Sequence, residues 1–579
     1  MTNAHTNTQP LGIIMGSKET TPLHFWVSVT ESACVQLDDV VRVQCKDPET
    51  AQDITYYGLV DRVEKSLEGL EFHSDSQRVH DGLLPYSLCY AARVTITRIE
   101  PEVYTPPRPG DPVFRAEGDH FNQALYFNQM EQRLPAGLLQ NGEPAWFNYE
   151  FLDGTRGGHV SISGISGVAT KTSFTLFLLH GIFNSASIPQ TRRRNARAII
   201  FNVKEEDLFY LDQPNNKLTD KHRAAYEKLG LPAQPFQDVG FYAPCHQATG
   251  EMVPATVKQD GVRVYGWSLY KVARQQLLPF LFGEDMGNNL YFVLDRVNDR
   301  LFEMAQRAEK QVMTTEDPYG VPLKSLSDLC DHLQQILEDL EDDELDGQEA
   351  HDAHRAKRYW FGSNATGTIK AFLRRLEYAV QHVKQFVRPD MREAQAIHWR
   401  EQQLTVVDIH QLHARAQMFV VGALLKDIFE HKAQSRDKQP VFIVLDELNR
   451  YAPRSGTSPI RDMLLDIAER GRSMGLILLG AQQTASEVEK RVVSNAALRV
   501  TGRLDGAEAS AKEYDYLRGS FKQRAMMLRP GSMIVQQPEL PSPLMVNVPW
   551  PAWATRAAEV DATVADTALE SQLEKDLDW

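Results

Sequence analysis

Cysteine is scarce in this 579-residue chain, and the five that occur (Cys34, Cys45, Cys89, Cys245 and Cys330) are scattered with no C-x-x-C pair. That excludes a disulfide framework and a zinc-ribbon spacing, and it suits a reducing compartment. Long apolar runs are missing too: "VFIVL" and "LILLGA" are strand-sized, far short of the ~20 residues a membrane span needs. The opening "MTNAHTNTQPLG" has neither the basic start nor the apolar stretch of a secretory signal, so the expectation is a cytoplasmic chain without membrane contact. No basic stripe interleaved with aromatics is present, which argues against stacking of single-stranded nucleic acid. Gly-x-Ser-x-Gly, Cys/His nucleophile and H-E-x-x-H arrangements are absent; the pairs His351/His354 and His410/His413 read as surface histidines. There is no internal repeat and no low-complexity tail.

What is present describes a multidomain globular protein. The length calls for two to four structural units. Apolar residues make up 42% and charged residues 24%, ordinary values for packed domains. The net charge of -15 makes the overall surface repel nucleic acid, so any contact with it needs a local basic patch, a channel or a partner. One such patch is "QTRRRNARAII", with Arg192, Arg193, Arg194 and Arg197; it reads equally as a helix end or a subunit contact. The nine carboxylates between Glu338 and Asp352 read as a solvated helix and loop.

Residues 11 to about 105 hold short β-branched and aromatic runs ("HFWVSV", "VVRVQCK", "TYYGLVDRV", "YAARVTITRI") between turn residues, the pattern of a small barrel. "YTPPRPGDPV" then forms a stiff connector. Beyond it, "HVSISGISG" predicts a strand running into a glycine turn, "KTSFTLFLLHGIFN" a helix and "ARAIIFNV" a second buried strand. Three more apolar strands come much later: "LTVVDI", "VFIVLDE" and "LILLGAQ". They imply a parallel α/β sheet interrupted by a long, mostly helical insertion.

The chemistry concentrates at "ISGISGVATKTSF". A phosphate-binding loop needs glycines whose bare N–H groups wrap the phosphates, then a lysine for the terminal phosphates and a hydroxyl for Mg²⁺. Lys171 and Thr172 satisfy the last two requirements. Thr170 replaces the glycine before lysine, and Gly164 stands one residue further upstream than the usual spacing. "VFIVLDELNRY" ends a strand in Asp446 and Glu447, placing one carboxylate for a metal and the next for orienting and deprotonating water. "LILLGAQQTASE" ends a strand in Gln482 and Gln483, either of which suits a polar sensor of the terminal phosphate or a cap on the following turn. Arg470, Arg472, Arg499 and Arg503 flank that strand as candidates for neutralising phosphoryl charge or for plain surface ion pairs.

In order, "ISGISGVATKTSF", "VFIVLDELNRYAP", "ERGRSMGLILLGAQQTASEV" and "RPGSMIV" resemble the HerA branch of the HerA/FtsK translocases, and "LGIIMGSKETTPLHFWVSV" with "VQLDDVV" is similar to their N-terminal barrel. The resemblance implies a RecA-like P-loop ATPase core with an N-terminal small β-barrel and a helical insertion. The corresponding divisions are a barrel at 1–105, a first motor segment at 106–203, the insertion at 204–403, a second motor segment at 404–545 and a C-terminal arm at 546–579. It further implies a hexameric ring that hydrolyses ATP with Mg²⁺ and moves double-stranded DNA for an effector enzyme, a nuclease or a sirtuin-like NAD-consuming protein, docked on the barrel. Anti-phage defence or DNA end processing would be the setting.

Carried over by residue, Gly164, Gly167, Val168, Ala169, Thr170, Lys171, Thr172 and Ser173 would bind ATP. Thr172 and Asp446 would hold Mg²⁺. Glu447 would be the catalytic carboxylate, Gln483 the sensor, and Arg470, Arg472 or Arg499 the arginine offered to a neighbouring subunit. Two other readings stay open: an oligomeric scaffold that binds nucleotide with little turnover and arrays a partner effector enzyme, and a motor acting on RNA or protein.

Overall fold

Alternation builds the first unit. In β2 (His24–Val29), Phe25, Val27 and Val29 are buried while the residues between them face outward, as a half-buried strand requires. With β1 (Gly12–Ile14), β3 (Val40–Lys46), β4 (Asp53–Glu68), β5 (Ser87–Glu100) and β6 (Pro112–Arg115) it closes an antiparallel barrel in the order β1-β2-β5-β4-β3-β6. The structure, a computed structural model, describes residues 9–46, 50–68, 75–165, 170–204, 208–246, 252–282, 287–308, 311–342, 344–345, 347–435 and 438–560.

The barrel therefore extends past the expected boundary at 105. Its last strand follows the proline run, and Pro112 is tolerated there because a strand's first residue need not donate to the ladder. The barrel is also fastened to the rest of the chain. Val40, Tyr57 and Leu59 belong to the same apolar core as the strand Val160–Ser163 and the helix that follows it, and Arg524 donates to both carboxylate oxygens of Asp38.

The second unit is a twelve-stranded sheet among the described residues. Its strands are β7 (Arg133–Leu138), β8 (Pro144–Asn148), β9 (Val160–Ser163), β10 (Arg197–Asn202), β11 (Val239–Ala243) and β12 (Val262–Val264). After a short hairpin, β13 (Met313–Thr314) with β14 (Pro322–Leu323), come β15 (Leu404–Asp408), β16 (Val441–Leu445), β17 (Leu476–Gln482), β18 (Leu498–Thr501), β19 (Ser532–Gln536) and β20 (Leu544–Asn547). The order is β12-β11-β15-β10-β16-β17-β9-β18-β19-β20-β7-β8; the run from β12 to β18 is parallel and the rest antiparallel. β16, β17 and β9 are buried at every position, as parallel strands covered on both faces must be. This is the expected α/β plan, RecA-like in that one strand, β17, separates the loop strand β9 from the acid-bearing strand β16.

Two further boundaries differ from expectation. The segment 204–403 is not helical throughout, because β11 and β12 extend the parallel sheet; its helices Asn288–Arg307, Leu326–Glu341, Gly347–Phe361 and Thr366–Val383 pack through the larger apolar core. The residues after 546 do not form a loose arm as far as 560: Ala552, Trp553 and Ala554 are fully buried, and β20 itself runs to Asn547. Residues 561–579 lie outside the described residues.

Helix α1 (Thr170–Asn184) follows the loop and is buried on every face from Phe174 to Phe183, with Phe174, Phe177 and Ile182 contributing about 2 kcal/mol each. It also buries His180, whose Nε2 meets the Gln234 carbonyl at 3.1 Å. His159, just before β9, accepts the Leu478 N–H at Nδ1 over 2.9 Å. Burial pushes both imidazoles down from 6.5 to about 4. Both stay neutral in the folded chain and take up protons once it unfolds, so their contribution is complete above pH 6.5 and is lost as pH falls toward 4. The expected penalty is roughly 3 kcal/mol per histidine across that window. Urea midpoints measured from pH 7.5 to 4.5 check this: His159→Asn should flatten the fall, and an unchanged slope would contradict it.

Candidate functional site

In parallel α/β sheets ligands sit at the carboxyl edge of the strands. Five strand ends meet there: Ser163, Asn202, Leu445, Gln482 and Thr501. The loop's neck is held by backbone on both sides. The Gly164 N–H donates to the Gln482 carbonyl (3.2 Å), the Ile165 N–H to the Arg503 carbonyl (2.8 Å), and the Gly502 N–H to the Ser163 carbonyl (2.7 Å). Of the predicted phosphate-binding residues, Gly167, Val168 and Ala169 lie outside the described residues. Thr170 already stands in the first turn of α1, in a conformation open to any L-residue, so this position does not require a glycine. Lys171, Thr172 and Ser173 follow in the same turn.

Lys171 is only 5% exposed, and its Nζ donates to the Gly164 carbonyl at 2.5 Å, spanning the mouth of the loop. Burial pulls its ammonium below the usual lysine range; Asp446 and then Glu447 oppose the shift, and Lys204 adds to it. Asp446, directly after β16, faces the Lys204 Nζ at 2.6 Å and accepts the Glu447 N–H at 3.0 Å. Glu447 has a left-handed backbone (φ 56°, ψ 48°), which costs a non-glycine residue roughly 1–2 kcal/mol and clusters at functional sites. Its carboxylate accepts from Arg450 at 3.0 Å and remains one-third exposed.

The two glutamines part company at the strand end. Gln482 is fully buried, donating to Ser161 Oγ (2.8 Å) and Ser163 Oγ (3.0 Å), and so ties β17 to the loop strand. Gln483, one residue on, is exposed at the edge.

The arginines are placed differently. Arg470 and Arg472 lie in the last turns of helix α2 (Pro459–Met474), which leads into the start of β17. That is the amino edge of the sheet, about 20 Å from Lys171 at ~3.3 Å per residue of strand. Arg470 pairs with Asp466 at 2.9 Å, and Arg472 donates to the Gly154 and Thr155 carbonyls at 3.1 and 2.8 Å. Within one chain neither reaches the phosphate loop. Arg499 lies over the Tyr516 ring, 5.3 Å from its centroid. In the basic cluster, Arg192 is bound to Asp153, Arg193 donates to the Asn184 carbonyl and Arg197 to the Arg194 and Arg400 carbonyls, so most of that charge anchors the helix Gln190–Asn195.

Sequence reasoning missed Lys204, Arg450 and the two serines under Gln482. Lys204 was within reach of inspection: it follows the buried run "RAIIFNV", whose strand β10 lies beside β16. A cavity of about 730 Å³ adjoins the loop, with Thr172, Ser173 and Asp446 in one wall. A hydroxyl and a carboxylate are hard oxygen donors of the kind Mg²⁺ takes, so this donor set fits the ion. Among the described residues no helix is long and apolar enough to cross a membrane, and no three or more His, Cys, Asp or Glu side chains group as a metal site.

Strand order and the residues that open α1 thus define the class, a RecA-like α/β sheet with Lys and Thr at the start of the helix after its loop strand. No protein-family profile matches the chain, and no curated protein matches it in sequence. Among solved structures it is similar to the bacterial conjugative coupling protein TrwBdeltaN70, at 12% identity over 76% of this chain and 94% of that one, with a TM-score of 0.47. VirB4 of Thermoanaerobacter pseudethanolicus matches at 14% identity over 72% and 96%, TM-score 0.39. The genome packaging NTPase B204 of Sulfolobus turreted icosahedral virus 2 matches at 14% over 25% and 67%, TM-score 0.20.

Proposed function

We propose that this chain is an ATP-hydrolysing motor of the HerA type, acting as a ring of identical subunits, a hexamer by the resemblance, on double-stranded DNA. The observation that carries the reading is the meeting of Lys171, Thr172, Asp446 and Glu447 at one edge of the sheet, from segments about 275 residues apart. Lys171 binds the β- and γ-phosphates, its ammonium already desolvated and so interacting more strongly than it would in water. Thr172 and Asp446 would hold Mg²⁺, and the ion would supply neutralisation of phosphate charge. Lys204 holds the Asp446 carboxylate in place at this edge, and Glu447 orients and deprotonates the attacking water. Gln483 senses the terminal phosphate.

Arg470 and Arg472 serve in a neighbouring subunit's site, since their distance within the chain keeps them from the phosphates of their own; Arg499 is the second candidate. An effector enzyme, nuclease or sirtuin-like, docks on the barrel, and defence or end processing is the setting. The test is ATP hydrolysis by the purified protein with and without linear duplex DNA, RNA or a protein substrate, beside Glu447→Ala. Turnover that rises with duplex DNA and collapses in the variant is expected. Equal silence of both proteins on every polymer would instead make the chain a nucleotide-binding scaffold.

A further inference from the structure

The cavity beside the loop is far larger than a triphosphate and metal require, and its outer wall comes from two segments remote from the phosphate residues. One is the helix Asp220–Lys228, which supplies His222. The other is the stretch from Pro549 to Glu559, which supplies Trp550. The two rings stack, centroids 5.7 Å apart and planes 15° from parallel, and the indole is 45% exposed at the cavity.

This wall is rigidly built. His222 Nδ1 accepts the Thr219 N–H at 3.2 Å, which fixes the imidazole on its helix. The Tyr226 hydroxyl donates to the Trp550 carbonyl (3.1 Å) and accepts the Ala552 N–H (3.2 Å), and Asn215 Nδ2 donates to the Trp553 carbonyl (3.3 Å). The Leu208 N–H meets the Thr555 carbonyl at 3.0 Å and the Asn216 N–H the Glu559 carbonyl at 2.8 Å.

We propose that this cavity is the nucleoside subsite of the nucleotide site, in which a purine lies against the Trp550–His222 stack and is held by its faces rather than read at its edges. The inference rests on the nucleotide reading given above and names which part of the chain holds the base. At about 730 Å³ the space is of a size that encloses small ligands, and it is continuous with Thr172 and Ser173, where the phosphates enter. Pro530, Pro549 and Pro551 line the cavity without an N–H to offer a base edge, and of its polar lining Asn215 is bonded to the Trp553 carbonyl, Asn547 to Ser532 and Thr555 to Glu559. Aromatic stacking is indifferent to which base is stacked. ATP and GTP should therefore bind within about tenfold of each other, in contrast to a site that hydrogen-bonds an edge group and rejects its absence strongly.

Calorimetric titration of the full-length protein with ATP, GTP and inorganic triphosphate tests this. Trp550→Ala should weaken ATP and GTP alike by roughly 10- to 100-fold and leave triphosphate unchanged, Trp550→Phe should restore most of the loss, and Lys171→Ala should weaken all three probes. If wild type binds none of them, or Lys171→Ala changes nothing, the nucleotide reading itself falls. If binding depends on Lys171 yet Trp550→Ala stays within twofold for ATP, the nucleoside subsite falls alone. A Trp550→Ala loss that extends to triphosphate would also overturn it, as would a preference between ATP and GTP above about 100-fold.

Discussion

Glu447→Gln should reduce turnover at saturating ATP by about 10²- to 10⁴-fold, the usual contribution of a positioned general base, while nucleotide affinity stays within a few-fold of wild type. The substitution keeps shape and hydrogen-bonding reach and removes only the capacity to take a proton. It also keeps the backbone question constant, since glutamine is as ill-suited as glutamate to φ 56°. The Arg450 contact should weaken little, because an exposed ion pair of this kind is worth about 0–1 kcal/mol. Single-turnover hydrolysis and equilibrium binding, measured on the same preparation, separate the two quantities. Turnover near wild type in this variant would remove Glu447 from the chemistry and return the left-handed turn to a purely structural role.

Lys171→Met should abolish useful nucleotide binding, raising Kd at least ~100-fold, and it should do so without destabilising the chain. The second half is the more discriminating. Lys171 is buried against a single carbonyl, and its ammonium is pushed toward neutrality by that burial. A buried ammonium carries a desolvation cost that an apolar side chain of similar volume does not, and without it Asp446 and Glu447 still keep Lys204 and Arg450 as partners. A urea midpoint equal to or above wild type, together with lost binding, marks a residue kept for function at the expense of the fold. A lower midpoint would mean that the loop's neck depends on the Lys171–Gly164 contact.

Much of this site was legible because its chemistry sits where local pattern is strongest. Asp446 and Glu447 end a five-residue apolar run, and Lys171 and Thr172 open a helix after a strand and glycines; each signal is short-range. The glutamines show the limit. Strand periodicity alone cannot decide whether Gln482 or Gln483 is the last paired residue, and the pairing of Gln482 with Ser161 and Ser163 is set by a strand more than 300 residues earlier. β11, β12 and the barrel's sixth strand were hidden for related reasons: three- to five-residue strands inside helical or proline-rich surroundings carry too little periodicity to stand out. Trp550 and His222 carried no signal, since their partnership exists only once the chain has closed on itself.

The position of β9 has a consequence for how the protein comes to be made. Its two neighbours, β17 and β18, are encoded some 300 residues downstream, so at about 5–20 residues per second the ribosome exposes Val160–Ser163 roughly 15–60 s before anything exists to pair with it. During that interval β9 and the helix after it wait without the strands they pack beside. The barrel, complete by residue 115, can close first and offer Val40, Tyr57 and Leu59 as a temporary seat for the nascent sheet. The end of β9 and the start of α1 are therefore among the earliest parts of the sheet to be synthesised and among the last to gain their neighbours.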